Sequence, residues 1–142
     1  MKEDGIIIHT DGGARGNPGP AACAFVVDIG DKTIMKGSSY LGKATNNHAE
    51  YHGVLLATNW LDKNYKTFQE DTVTFYLDSE LVVRQLNGIY KVKDKNLNEI
   101  FLQIKDLINN IDLKIFYKHI PREKNSIADS LVNKELDKNS HI

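Results

Sequence analysis

The sequence predicts an α/β fold: one five-stranded mixed sheet, with three antiparallel meander strands, two strands parallel to the first, and helices on both faces. Three observations predict it. The N-terminal part carries three short apolar or β-branched runs joined by tight connections, the pattern of a meander. From Thr45 onward the hydrophobic period changes from that of a strand to that of a helix. Two later apolar runs then alternate with helical stretches, and a strand that returns through a helix lies parallel to its predecessor.

Each element has a local reason. Residues 6–10 form the first β run, 22–28 the second and 32–40 the third, the last two joined by a tight turn at Ile29-Gly30-Asp31. Between the first and second lies DGGARGNPGP, with Gly12, Gly13, Gly16, Gly19, Pro18 and Pro20. A hairpin needs only about two turn residues, so this connection is generous, and it puts Asp11 where the first strand gives way to the turn. In TNNHAEYHGVLLATNWLDKN, Ala49, Gly53, Leu56 and Trp60 recur at helical spacing, and Thr45 or Asn46 supplies the N-cap. TVTFYL, residues 72–77, is a fourth strand, and SELVVRQLNG reads as a short helix ending at Gly88. YKVKDKN is a basic loop, 97–108 an amphipathic helix, 113–119 a fifth strand, and 125–137 a closing helix with Ile127, Leu131 and Leu136 among its apolar positions.

The 142 residues fit a single domain, 1–142, large enough for a real core, with an ordinary 41% apolar and 26% charged composition. The one cysteine, Cys23, excludes an internal disulfide framework and sits in an apolar run as a small core residue. The N-terminal apolar stretch is three isoleucines, too short for a signal-peptide core, and nothing approaches a membrane span. The chain therefore reads as soluble and cytoplasmic, and its Met1 start and compact ending read as those of a stand-alone protein. The net charge of −1 conceals an asymmetry: residues 84–124 hold nine Lys/Arg against five Asp/Glu, while the remainder is acidic. That segment is either a nucleic-acid-facing patch or a solvated surface.

In sheets of this kind, sites gather at the carboxyl ends of the parallel strands. Asp11 and Asp78 follow the first and fourth strands, and Glu50 and Asp129 lie in the first turns of the first long and the last helix. Each has a simple local account: Asp78 as a helix cap, Glu50 and Asp129 as acids favoured by a helix dipole. Together they imply more, because carboxylates brought side by side repel unless a cation sits between them. Oxygen-only donors point to Mg²⁺ or Mn²⁺, and there is no Cys/His cluster at zinc spacing.

At these residues the chain resembles the type 1 ribonuclease H family. Asp11-Gly12-Gly13-Ala14-Arg15-Gly16-Asn17-Pro18-Gly19-Pro20 looks like its first-strand motif, Thr45-Asn46-Asn47-His48-Ala49-Glu50 like its TNNxAE helix start, and Leu77-Asp78-Ser79 like its third acidic position. His119, followed by Asn125-Ser126-Ile127-Ala128-Asp129, is similar to its His…NxxAD ending. Four motifs in the right order span nearly the whole chain. The resemblance implies a ribonuclease H-like fold and endonucleolytic cleavage of the RNA strand of RNA–DNA hybrids, leaving 5′-phosphate and 3′-hydroxyl ends. It implies two Mg²⁺ (or Mn²⁺) ions held by Asp11, Glu50, Asp78 and Asp129, with His119 assisting proton transfer or product departure. A surface histidine at a strand end is the other account of His119. Gly12, Gly13, Asn17, Thr45, Asn46, Asn47 and Ser79 match positions at the hybrid, where glycines would let a nucleic-acid strand approach and amides would read ribose 2′-hydroxyls.

The interval from Asp78 to His119 is short and lacks the basic protrusion of other members, so the chain resembles the compact archaeal-like branch also found in bacteria. Lys91, Lys93 and Lys95 are candidate phosphate contacts, or else part of a solvated loop, and affinity for substrate is expected to be weak. Glu80 stands where several relatives carry Gln, and no ribose contact is assigned to it. Double-stranded RNA is a further candidate substrate, a non-catalytic hybrid-binding module the alternative function, and a monomer the expected state. His9, His48 and His52 read as surface residues and Trp60 as core.

Overall fold

The computed structural model describes residues 4–140. Met1, where the sequence reading placed the start of a stand-alone protein, lies outside the described residues, as do the last two positions of the expected domain. The elements run β1 (Ile6–Ala14), β2 (Gly19–Ile29), β3 (Lys32–Ala44), α1 (Asn46–Asn64), β4 (Thr72–Leu77), α2 (Glu80–Leu86), α3 (Lys95–Asn109), β5 (Lys114–His119) and α4 (Ser126–Lys138), with single 3₁₀ turns at Tyr65–Thr67 and Arg122–Lys124. The sheet order is β3-β2-β1-β4-β5. β1, β2 and β3 are antiparallel neighbours, whereas β4 runs parallel to β1 and β5 parallel to β4. This is the mixed sheet that the strand pattern predicts.

The first hairpin differs from expectation. Asp11 does not close β1; the strand continues through Gly12 and Gly13 to Ala14, and Asp11 pairs with Ala24 in mid-ladder. The connection shrinks to residues 15–18, closed by the Arg15 N–H donating to the Pro20 carbonyl at 2.8 Å, with Gly16 at φ 96°. Glycine is a poor strand former by propensity, but here the ladder on one side and a helix on the other hold it extended.

Alternation assigns the faces. Ile6 and Ile8, Phe25 and Val27, and Val73, Phe75 and Leu77 point to one side, where Tyr51, Val54, Ala57 and Leu61 of α1, Val82 and Leu86 of α2, and Ile104 of α3 cover them. Each fully buried large apolar side chain in this layer contributes roughly 1.5–3 kcal/mol. The α1 face is rotated from the sequence-based one: Leu56 and Trp60 are half-buried at its flank, with Trp60 against Phe25 and Phe68. On the opposite side α4 alone packs Val132 and Leu136 onto Ala22 and Ala24. Cys23 is buried, and burial pushes its thiol up to about 12, so it is an inert core residue. Among the described residues no helix is long and apolar enough to cross a membrane.

Candidate active site

Two glycines bring α1 onto β1. A Cβ on Gly12 would lie 2.1 Å from the Ala49 carbonyl oxygen, and a Cβ on Gly53 would lie 2.7 Å from that of Asp11. One glycine on each partner thus permits backbone contact between helix and strand, and Glu50 lies between the two contact points. The closest approach at Gly12 is therefore to the protein's own helix, a structural demand that the sequence alone leaves indistinguishable from a ligand's. Gly13 is different, with only Val132 as near as 4.0 Å.

The acids meet where this packing places them. Asp11 lies in β1, Glu50 one turn into α1 and Asp78 just beyond β4. One carboxylate oxygen from each falls within 4.8 Å of the others. Asp129, in the first turn of α4, lines the same cleft of ≈ 410 Å³ but stands outside this tight trio. All four predicted carboxylates therefore share one site.

Asp11 and Glu50 are almost inaccessible, at 6% and 7% exposure. Burial first, then the charge of Asp78, pushes the Asp11 carboxyl up to about 7. Burial, then the charges of Asp11 and Asp78, holds Glu50 well above the ordinary carboxylate range. Side by side and out of water, each of the two carboxyls favours the neutral form of the other. Glu50 Oε2 is buried without a hydrogen-bond partner. Clustered acids, an orphaned carboxylate oxygen and an oxygen-only donor set fit a hard divalent cation.

Asn125, legible in the sequence only as part of a motif, ties the site together. It is 1% exposed at the start of α4, and its Nδ2 donates to the Thr10 carbonyl at 2.8 Å and to Asp78 Oδ2 at 3.0 Å. It thus joins the elements bearing Asp11, Asp78 and Asp129. Arg122 also lines the cleft and had no signal in periodicity or spacing. Asn46 and Asn17 form a second clasp: Asn46 Oδ1 accepts from the Ala14 N–H at 2.9 Å, and Asn17 Oδ1 accepts from the Asn46 N–H at 3.0 Å. Thr45 and Ser79 cap α1 and α2, accepting from the N–H groups of His48 and Val82.

Other predicted residues lie apart. His119 is exposed at the end of β5, in register with Leu77, and is not part of the cleft wall. Lys91 and Lys93 are exposed in the segment between α2 and α3, Lys95 is exposed at the first position of α3, and Asn47 is exposed at the start of α1. Glu80 pairs with Arg84 one turn along α2, at 3.3 Å.

The pattern of the reverse transcriptase-like family matches residues 9–135. A ribonuclease H of Paracidovorax citrulli is 31% identical over 151 aligned positions, covering 94% of this chain and 95% of that protein. The chain belongs to the ribonuclease H family. LC11 ribonuclease H1, solved in complex with an RNA/DNA hybrid, superimposes with a TM-score of 0.88 at 43% identity, covering 94% of this chain and 97% of that one. A bifunctional protein of Mycobacterium tuberculosis is 37% identical over 134 residues, 93% of this chain. This chain spans about a third of the length of that relative, 35%. As a ribonuclease H relative of compact form, the chain passes from Asp78 to His119 through only two helices, α2 and α3.

Proposed function

We propose that this chain is a single ribonuclease H domain that cleaves the RNA strand of RNA–DNA hybrids endonucleolytically, with two divalent ions, Mg²⁺ or Mn²⁺, in the acidic cleft. The observation that carries the reading is the convergence in one cleft of Asp11 and Glu50, both buried, and Asp78, half-buried, where protons or cations must balance their charge. Such ions, when bound, would supply activation of the attacking water and stabilisation of the departing 3′ oxygen, with a 5′-phosphate as the product end. Asp11, Glu50 and Asp78 would hold them, and Asp129, which lines the same cleft, would complete the set. Asn125 donates to Asp78 Oδ2 and so orients that carboxylate. His119, whose backbone is in register with Leu77, the residue before Asp78, assists proton transfer as product leaves.

Binding of the hybrid falls to the surface beside the cleft. Gly12, Gly13 and Asn46 line the cleft, and Asn17, Thr45, Asn47 and Ser79 adjoin its lining residues in the chain or by hydrogen bond. The clasps among Ala14, Asn17 and Asn46 support this role by holding the loop and the helix start in one arrangement before substrate arrives. Lys91, Lys93 and Lys95 contribute phosphate contacts. Calorimetric titration with Mn²⁺ in the presence of a hybrid with a non-cleavable 2′-deoxy position tests the metal assignment. Two ions per chain, lost with Asp11→Asn, are expected. No ion, or binding untouched by that substitution, would overturn it.

A further inference from the structure

A second set of ligating side chains lies on the flank of α1 away from the acidic cleft. His48 and His52 are one helical turn apart, so their rings leave the same face. They line a cleft of ≈ 420 Å³ together with Asn96 and Glu99 of α3 and Lys43 from the end of β3. His48 Nε2 is shielded from solvent and has no hydrogen-bond partner; the nearest opposite charge is Asp94 Oδ1 at 4.0 Å. That oxygen already caps α3 by accepting from the Leu97 N–H at 3.0 Å, which leaves the second carboxylate oxygen of Asp94 uncommitted to the cap.

We propose that His48 and His52, with Asp94 or Glu99, form a binding site for a borderline transition-metal ion of the Zn²⁺ class, joining α1 to α3. The sequence has no cluster of three or four Cys and His at zinc spacing, but a histidine pair spaced by four on a helix chelates such an ion through both rings, and a carboxylate brought up by α3 supplies a third donor. The chemistry separates this site from the acidic trio. Imidazole nitrogen favours Zn²⁺, Co²⁺ or Ni²⁺, whereas the trio offers only oxygen and favours Mg²⁺ or Mn²⁺. The trio's oxygens already converge. At the histidine site His52 and Glu99 close on the ion by side-chain rotation, which their placement along a solvent-facing cleft allows. Lys43, which also lines the cleft, carries the opposite sign to the carboxylate donor and moderates the affinity. Because the donors come from two packed helices, the bound ion adds a cross-link to the native state that the unfolded chain lacks.

The test uses the full chain, without a polyhistidine tag, carrying Asp11→Asn to weaken the acidic trio. Zn²⁺ titration by calorimetry should show one saturable equivalent. At Zn²⁺ about a hundredfold above the dissociation constant, the melting temperature should rise by roughly 5–10 °C. His48→Gln and His52→Gln should each abolish both effects while leaving circular dichroism unchanged. Absence of saturable Zn²⁺ binding, or binding indifferent to both substitutions, would overturn the proposal. If either variant fails to fold, Co²⁺ added to the histidine-intact chain decides the matter. Paramagnetic broadening of the His48 and His52 ring resonances supports the site, and broadening confined to residues around the acidic cleft refutes it.

Discussion

Replacing Asp11 by Asn should make the metal-free protein more stable while destroying its chemistry. The magnitude follows from the carboxyl's position. Its pKa is raised from 3.8 to about 7 by burial and by Asp78. The folded state therefore holds the proton more tightly than the unfolded chain, so the group's stabilising contribution is complete below the unfolded value and is lost as pH rises through the folded one. At about 1.4 kcal/mol per unit, the full penalty above pH 7 is about 4 kcal/mol. Part of that is shared with Glu50 and part is spent on burying an amide, so a net gain of about 1–3 kcal/mol is expected for Asp11→Asn near pH 8. The assay is urea unfolding in EDTA, followed by the fluorescence of the sole tryptophan, Trp60. The gap between variant and parent should shrink toward about pH 5 as the parent carboxyl protonates. Mg²⁺ should stabilise the parent more than the variant. A variant less stable than the parent near pH 8, or a gap indifferent to pH, would refute the reasoning.

Three further outcomes are expected. Gly12→Ala, whose Cβ would meet the Ala49 carbonyl oxygen at 2.1 Å, should cost about 3 kcal/mol in urea unfolding and displace Glu50. Asn125→Ala strands the buried Thr10 carbonyl and frees Asp78, so it should cost about 1–3 kcal/mol and raise the Mg²⁺ concentration for half-maximal cleavage; an unchanged metal profile would leave Asn125 a purely structural tether. The triple change of Lys91, Lys93 and Lys95 to Ala should raise KM for hybrid and flatten its salt dependence at little change in kcat, whereas unaltered KM would mark a solvated loop.

Much of this architecture is legible in the sequence because period and punctuation agree. Runs such as TVTFYL and the cap at Thr45 carry local preferences that the packed structure keeps. The acids are legible for the same reason: Asp78 sits at a strand end, and Glu50 and Asp129 near helix starts. Three features are not. The continuation of β1 through Gly12 and Gly13 depends on α1 lying against them, which no local signal encodes. The buried face of α1 follows its contacts with the sheet below and α3 beside it, so Tyr51, Val54, Ala57 and Leu61 join Ala49 there. Asn125 and Arg122 acquire their places at the site only when α4 crosses β1, bringing together residues more than a hundred positions apart in the case of Asn125 and Thr10.

The most direct measurement is a gel assay on end-labelled duplexes of RNA–DNA, RNA–RNA and DNA–DNA, each with Mg²⁺, with Mn²⁺ and with EDTA, beside the Asp11→Asn variant. The account predicts metal-dependent cuts in the RNA strand of the hybrid, absent with EDTA and absent in the variant, with cuts in RNA–RNA widening the substrate class. A hybrid that is bound but left intact under either metal would contradict it and turn the protein into a binding module.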